Sequence, residues 1–244
     1  MNESIKQHLR KLRLSGMMRN LELRLQEARG HQLPHETFLE ALLQDEVNLR
    51  EQRSIKRRIK AARFRDQRSL QSFDFSFNQI DRTRIYQLAT GRFLDEKHDL
   101  LLIGPPGVGK SHLAQALGYE LIKRGKTVLY RSVFDVVTEL LELELENYAK
   151  ILKRYLKCDL LIIDDMGIKQ LPPKSAEYLF EIVMRRYEIR STLMTSNRPL
   201  EEWGKLLGDV PAATAILDRF LHHAQIITIK GRSYRLKDRT ATMQ

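Results

Sequence analysis

The sequence predicts an α/β domain, a parallel sheet with helices on both faces, preceded by a small all-helical domain. Three observations carry this. Short apolar runs recur after residue 99, at Leu100–Ile103, Thr127–Tyr130, Asp159–Ile163, Thr192–Thr195 and Ile226–Ile229, with helical segments between most of them. Such alternation means a parallel sheet. The first of these runs leaves through a loop with three glycines that opens into a helical stretch, "LLIGPPGVGKSHLA". In contrast, residues 1–69 space their apolar residues as helices do.

The helical region comes first. Ile5, Leu9 and Leu12 repeat at i, i+4 and i+7, and Leu14, Met18, Leu21, Leu25 and Ala28 continue the pattern. Gly16 is expected to break or kink it, and Gly30 to stop it. Pro34 then opens a longer helix whose buried face is expected to be Phe38, Leu39, Leu42, Leu43 and Val47. That helix runs into "LREQRSIKRRIKAARFRDQR". Between Arg50 and Arg68 nine Lys and Arg stand against Glu51 and Asp66. Ile55, Ile59 and Ala62 form a narrow apolar seam, so Arg53, Lys56, Arg57, Arg58, Lys60 and Arg63 cover most of the circumference. A solvated helix mixes its signs more evenly. The stretch therefore reads as a phosphate-contacting face, with a solvated or partner-protein face as the alternative. "SFDFSFNQID" breaks the helical period as an extended connector. It puts the boundary near residue 70, between a basic helical domain, 1–69, and the α/β domain, 70–244.

The formal net charge of the 244 residues is +11, which suits an acidic polymer such as double-stranded DNA. Residues 1–69 hold 16 Lys and Arg against 9 Asp and Glu, and the other 175 residues hold 26 against 22. The charge is thus concentrated in the helical domain. Cys158 is the only cysteine, which excludes an internal disulfide and a thiolate metal cluster. Apolar runs are far too short to span a membrane, and "MNESIKQHLRKLRLSGMM" has no signal-peptide core. A cytoplasmic protein without a membrane partner is expected.

The strands then deliver the chemistry in order. After Leu100–Ile103 the spacing Gly104, four residues, Gly109, Lys110, Ser111 is the full P-loop pattern. Its glycines let backbone N–H groups converge on a phosphate at a helix N-terminus. The nucleotide is expected on Gly104, Pro105, Pro106, Gly107, Val108, Gly109, Lys110, Ser111 and His112. Lys110 would reach the β- and γ-phosphates, and Ser111 would hold Mg²⁺. In "CDLLIIDDMG" an apolar strand ends in Asp164 and Asp165. At the carboxyl end of a parallel strand Asp164 would face the P-loop and orient the Mg²⁺ shell. Asp165 could polarise an attacking water. In "STLMTSNRP" another strand brings Thr195, Ser196 and Asn197 to the same edge, where the Asn197 amide can hold a water near the γ-phosphate.

The P-loop, "LLIIDD", "TSN" and "ILDRFLHHA" together resemble the AAA+ ATPases of the DnaC/IstB group. Ser-His-Leu-Ala after Lys110 is similar to the Thr-His-Leu-Ala usual there. "FDFSFN" and "GRSYRLKDR" resemble IstB-type proteins in particular, the ATP-binding partners of transposases in two-gene insertion sequences. The likeness covers nearly the whole chain. It implies a sheet order of 5-1-4-3-2, an adenine nucleotide, and an ATP site at an interface between copies of the chain. It also implies that Arg219, in "LDRF", reaches into the neighbour's site as an arginine finger. On its residues alone Arg219 also reads as a surface residue of a helix whose apolar side is Leu217, Phe220 and Leu221. Only 25 residues follow it, so no helical lid domain is expected. Asp165 is one methylene shorter than the Glu common in hydrolysing ATPases.

The function this implies is that of an ATPase, an ATP-dependent DNA-binding assembly factor assisting a transposase. Its cofactors would be ATP and Mg²⁺. Its partners would be double-stranded DNA, the cognate transposase and further copies of itself in a homo-oligomer. The alternative is a DnaC-like replicative helicase loader whose N-terminal helices grip a helicase. A small-molecule P-loop kinase would need an acceptor pocket and a mobile lid, and it leaves the basic arm without a purpose. No Asn-Lys-x-Asp motif reads guanine. His222 and His223 have no carboxylate or cysteine at ligand spacing and read as surface or packing residues.

Overall fold

The computed structural model describes residues 3–141, 145–168 and 170–234. The chain divides into two compact units, Met1–Arg57 and Arg58–Gln244. Three helices account for the first: α1 (Glu3–Lys11), α2 (Ser15–Gly30) and α3 (His35–Ala62), the last running on past the division. Leu9, Met17, Leu21 and Leu42 form a small core, with Leu14, Met18, Leu25 and Phe38 packed on it.

Two expectations for this region are corrected. Gly16 does not break a helix. The interruption falls at Arg13, with φ +58, and Gly16 lies in the first turn of α2. There α2 runs close against α3, since a Cβ at Gly16 would stand 2.5 Å from the Asp45 carbonyl oxygen. The Glu46 carboxylate accepts hydrogen bonds from the Gly16 and Met17 N–H groups. A residue of α3 thus satisfies the start of α2, whose own N-cap position holds Leu14. The buried face of α3 is also narrower than expected. Phe38 and Leu42 face the core, but Leu39, Leu43 and Val47 are about half exposed, while Glu46 is buried. The other two helices pack on only one stripe of α3.

The second unit is built on five strands: β1 (Asp99–Ile103), β2 (Val128–Ser132), β3 (Leu160–Met166), β4 (Ser191–Ser196) and β5 (Ala224–Thr228). Helices α4 (Arg82–Ala89) and α5 (Arg92–Asp95) precede β1, and α6 (Lys110–Lys123) joins it to β2. The later connections carry α7 (Val133–Leu141) and α8 (Leu145–Lys157), then α9 (Ser175–Arg186), then α10 (Trp203–Leu207) and α11 (Val210–His222). All pairings are parallel and the order is β2-β3-β4-β1-β5, the 5-1-4-3-2 order that the resemblance implies. The five predicted strands match within a few residues at each end.

Burial on both faces explains the continuous apolar runs. Leu101, Leu161, Ile163 and Met194 pack under α7, α9, α10 and α11 with Trp203 and Phe220. On the other face Ile162 lies against Gly118 of α6. Each fully buried Leu or Ile of this kind contributes roughly 2 kcal/mol. Cys158 is buried in the same core. Because every crossover is parallel, the carboxyl ends of all five strands share one edge, where ligands bind in open sheets of this kind. Among the described residues no helix is long and apolar enough to cross a membrane. The second half of "GRSYRLKDR", and any lid beyond it, lie outside the described residues.

Candidate nucleotide site

The loop between β1 and α6 sits at that carboxyl edge. Gly107 and Gly109 have φ of +82 and +102, a region that side chains rarely adopt. At Gly109 a Cβ would also stand 2.7 Å from the Phe73 ring. Lys110 is buried, and its Nζ lies within the loop, donating to the carbonyls of Gly104 at 2.7 Å and Pro105 at 2.8 Å. Pro105 and Pro106 are exposed on the rim, and Val108 is buried beneath it.

The segments before and after the core meet on this loop. Asn78, from the "FDFSFN" stretch, donates through Nδ2 to the Val108 carbonyl at 3.3 Å and to the Arg232 carbonyl at 3.2 Å. Its Oδ1 accepts from the Arg232 N–H at 3.1 Å. The Tyr234 N–H donates to the Gly107 carbonyl at 2.9 Å, and the Phe77 and Tyr234 rings meet edge to face. The distant stretches "FDFSFN" and "GRSY" are therefore one structural clasp around the P-loop. His112 turns the same way: its Nε2 lies 3.0 Å from the Ser69 carbonyl and its ring packs edge-on to Phe73. Burial holds its pKa below the usual histidine value.

Ser111 brings the loop to β3. Its Oγ donates to Asp164 Oδ1 at 3.0 Å. Asp164 is fully buried, and hydroxyls surround it: Tyr130 donates to Oδ2 and Thr195 to Oδ1. A buried carboxylate needs such partners. Burial and the neighbouring Asp164 push the Tyr130 phenol well above its ordinary range, so it stays a donor. A hydroxyl and a carboxylate side by side at a phosphate loop are hard oxygen donors, a set that fits Mg²⁺.

Asp165 follows on a bulge. The β3–β4 register shifts between Ile163 and Met166, and Asp165 has φ +67. Non-glycine residues enter this region at a cost of about 1 kcal/mol or more, and they cluster at functional sites. The bulge swings the Asp165 side chain off the regular strand while its N–H donates to Thr195 Oγ1 at 3.1 Å. Asp165 Oδ2 accepts from Arg65 Nη1 at 2.9 Å. Burial, then the adjacent Asp164, raise its pKa, and Arg65 offsets part of that. Asn197 closes β4 at the same edge, its N–H on the Met166 carbonyl at 2.9 Å. Trp203 donates to Ser196 Oγ at 3.3 Å and so ties α10 to the end of β4.

Lys110, Ser111, Asp164, Asp165 and Asn197 thus come from three elements to one edge. Arg219 does not join them. It lies exposed in the last turn of α11, paired with Asp218 at 2.9 Å and set 5.7 Å from the centre of the Tyr187 ring. That turn feeds the amino end of β5, and the next residue but three, His223, accepts from the Asp99 N–H at the start of β1. Arg219 is at the opposite edge of the sheet from its own P-loop. His222 and His223 lie beside it. Glu188, invisible at sequence spacing, stands 3.1 Å from His223 Nε2. Arg53, Lys56, Arg57, Lys60 and Arg63 are exposed along and just beyond α3, and Arg58 is partly buried. Arg53 bonds Ser15 Oγ and Arg63 pairs with Glu139; among the described residues no carboxylate pairs with Lys56, Arg57 or Lys60.

The residues that sequence reasoning missed are Tyr130 and Arg65. Neither stands in a motif; each reaches the site only through the register of β2 against β3 or the path of the chain after α3.

Solved structures share this fold. The crystal structure of DnaI superposes with a TM-score of 0.56 at 27% identity, covering 68% of this chain and 90% of that one. The DnaC helicase loader gives 0.57 at 24%, covering 72% and 99%. AMPPCP-bound DnaA from Aquifex aeolicus gives 0.58 at 21%, covering 74% and 56%. The core is an AAA+ P-loop domain. In sequence the chain is 38% identical over 241 residues to a Geobacillus stearothermophilus protein named for ATP binding in insertion sequence IS5376, covering 98% of this chain and 96% of that one. It is 37% identical over 233 residues to the corresponding IS21 protein of Pseudomonas aeruginosa, covering 95% and 88%. Residues 7–242 match the family described as IstB-like ATP binding protein, and the chain belongs to that family.

Proposed function

We propose that the protein is an ATP-dependent DNA-binding assembly factor that assists the transposase of an insertion sequence. The observation that carries this is the convergence of Lys110, Ser111, Asp164 and Asp165 in a chain that matches insertion-sequence ATP-binding proteins nearly end to end. In this reading Lys110 and the N–H groups of Gly107 to Ser111 hold the triphosphate. Ser111 and Asp164 hold Mg²⁺, which when bound neutralises phosphate charge. Asp165 accepts the proton of an attacking water, and Asn197 holds that water in line.

Arg219 acts on the neighbouring copy. Its distance from its own P-loop favours this role, and such a residue contributes ~10³-fold or more to turnover. Turnover per chain is then expected to rise with protein concentration. Mixing Arg219→Ala chains with Lys110→Ala chains should restore part of the activity, because each supplies what the other lacks. Concentration-independent turnover without rescue would mean a self-contained site.

The basic stretch of α3 contacts DNA phosphates. If about five are neutralised, log affinity for duplex DNA should fall with log salt with a slope of roughly −4 to −5. Sequence preference should be slight, because phosphate contacts carry no base information. An anisotropy series over salt concentration checks this, and Arg57→Ala/Arg58→Ala should flatten the slope by about 2. An unchanged slope would move the binding surface off α3. The exposed row Leu39, Leu43 and Val47 favours a protein contact by the N-terminal helices, which either the transposase or, in the second reading, a replicative helicase could make. No DNA binding at low salt would promote that second reading.

A further inference from the structure

We propose that Arg65 is a positioning residue for Asp165: paired, it keeps the carboxylate from accepting the proton of a water, and a polyanion on the basic stretch leading into it releases the pair. This deepens the reading above and rests on it, both for the role of Asp165 and for DNA on α3.

The turn that carries Arg65 is fixed at its backbone and loose at its side chain. α3 ends at Ala62, which is fully buried, and Arg63 takes φ +57. The N–H groups of Arg65 and Asp66 both donate to Gln115 Oε1, at 3.0 and 3.2 Å. Gln115 is buried on α6, and its Nε2 donates to the carbonyl of Ser111 itself. Phe64 rests on Gly118 and beside Tyr130, the residue that bonds Asp164. The turn is therefore tied to the P-loop helix and to β2. From it the Arg65 side chain, about half exposed, crosses to Asp165 Oδ2.

The pairing opposes the chemistry assigned to Asp165. A carboxylate that polarises water must present a lone pair to it, and a guanidinium bound there occupies the oxygen. The groups that face Asp165 are Asp164, Arg65 and Lys110; of the two cations only Arg65 is exposed enough to leave. Its neighbour in the chain is also weakly held. Arg63 reaches Glu139 at 3.4 Å, but the same carboxylate serves Arg131 at 2.9 Å and Arg154 at 3.2 Å. Arg63 can exchange Glu139 for a phosphate at little cost, because exposed ion pairs contribute little. Lys60, Arg63 and Arg65 lie within six residues, so phosphate drawn to the first two competes for the third.

The test is steady-state ATP hydrolysis by the full chain, with and without duplex DNA. Arg65→Ala should raise kcat without DNA about fivefold, the scale of an exposed ion pair, with KM for ATP nearly unchanged. DNA should then add little more. Arg65→Lys, which keeps a charge, should retain most of the suppression. Unchanged or lower kcat in Arg65→Ala, with the Asp165→Asn enzyme inactive, overturns the positioning role alone. Asp165→Asn turnover at the parent rate overturns the role of Asp165 and this inference with it. A rise in Arg65→Ala beside a parent insensitive to DNA supports the pairing and overturns its release by DNA.

Discussion

Replacing Lys110 by Ala is expected to abolish ATP binding at micromolar nucleotide. The ammonium is buried in the loop, where its donors lie on the Gly104 and Pro105 carbonyls. Those donors can turn to phosphate oxygens without the side chain entering from solvent. Each charge-assisted bond of this kind is worth about 1.5–3 kcal/mol, so the loss of two corresponds to a fall in affinity of ~10²-fold or more. The Ala variant also leaves the triphosphate charge without its nearest counter-charge. Titration with a fluorescent ATP analogue measures the effect. Equal affinity of variant and parent would show that the loop does not bind phosphate as assigned.

Asp165→Asn is expected to separate binding from turnover. Ser111 and Asp164 hold their positions through contacts that do not involve Asp165, so nucleotide affinity should persist. Asn accepts left-handed backbone as readily as Asp does, so the bulge at φ +67 survives the change. The amide cannot take a proton from water, and turnover should fall by ~10²-fold or more. Hydrolysis at the parent rate would remove Asp165 from the catalytic set.

These two residues are also the ones most readable from sequence, and the reason is local. The P-loop is eight consecutive residues whose spacing encodes their geometry, and "LLIIDD" couples a buried strand to the acids that must end it. Sheet order was less local. Parallel crossovers constrain it, but the 5-1-4-3-2 order came from the family resemblance. What could not be read depended on approach between distant segments. Leu39, Leu43 and Val47 share the helical period of Phe38 and Leu42, yet of these only Phe38 and Leu42 join the core, because the other helices pack on one side of α3 and leave the adjacent line uncovered. Gly16 looked like a breaker because its partner, the α3 backbone at Asp45, is remote in sequence. Tyr130 reaches Asp164 through strand register, and Arg65 reaches Asp165 across a hundred positions. Periodicity reports which face of an element is apolar; it does not report what stands opposite.

The binding of duplex DNA with and without a non-hydrolysable ATP analogue tests most directly the claim that nucleotide drives assembly on DNA. Assembly at the nucleotide interface would align many basic arms along one duplex, and such multivalency multiplies affinity without new contacts. At one fixed salt concentration, the analogue should tighten binding by ~10²-fold in the parent and leave Lys110→Ala unchanged. Equal affinity of the parent with and without the analogue would contradict it.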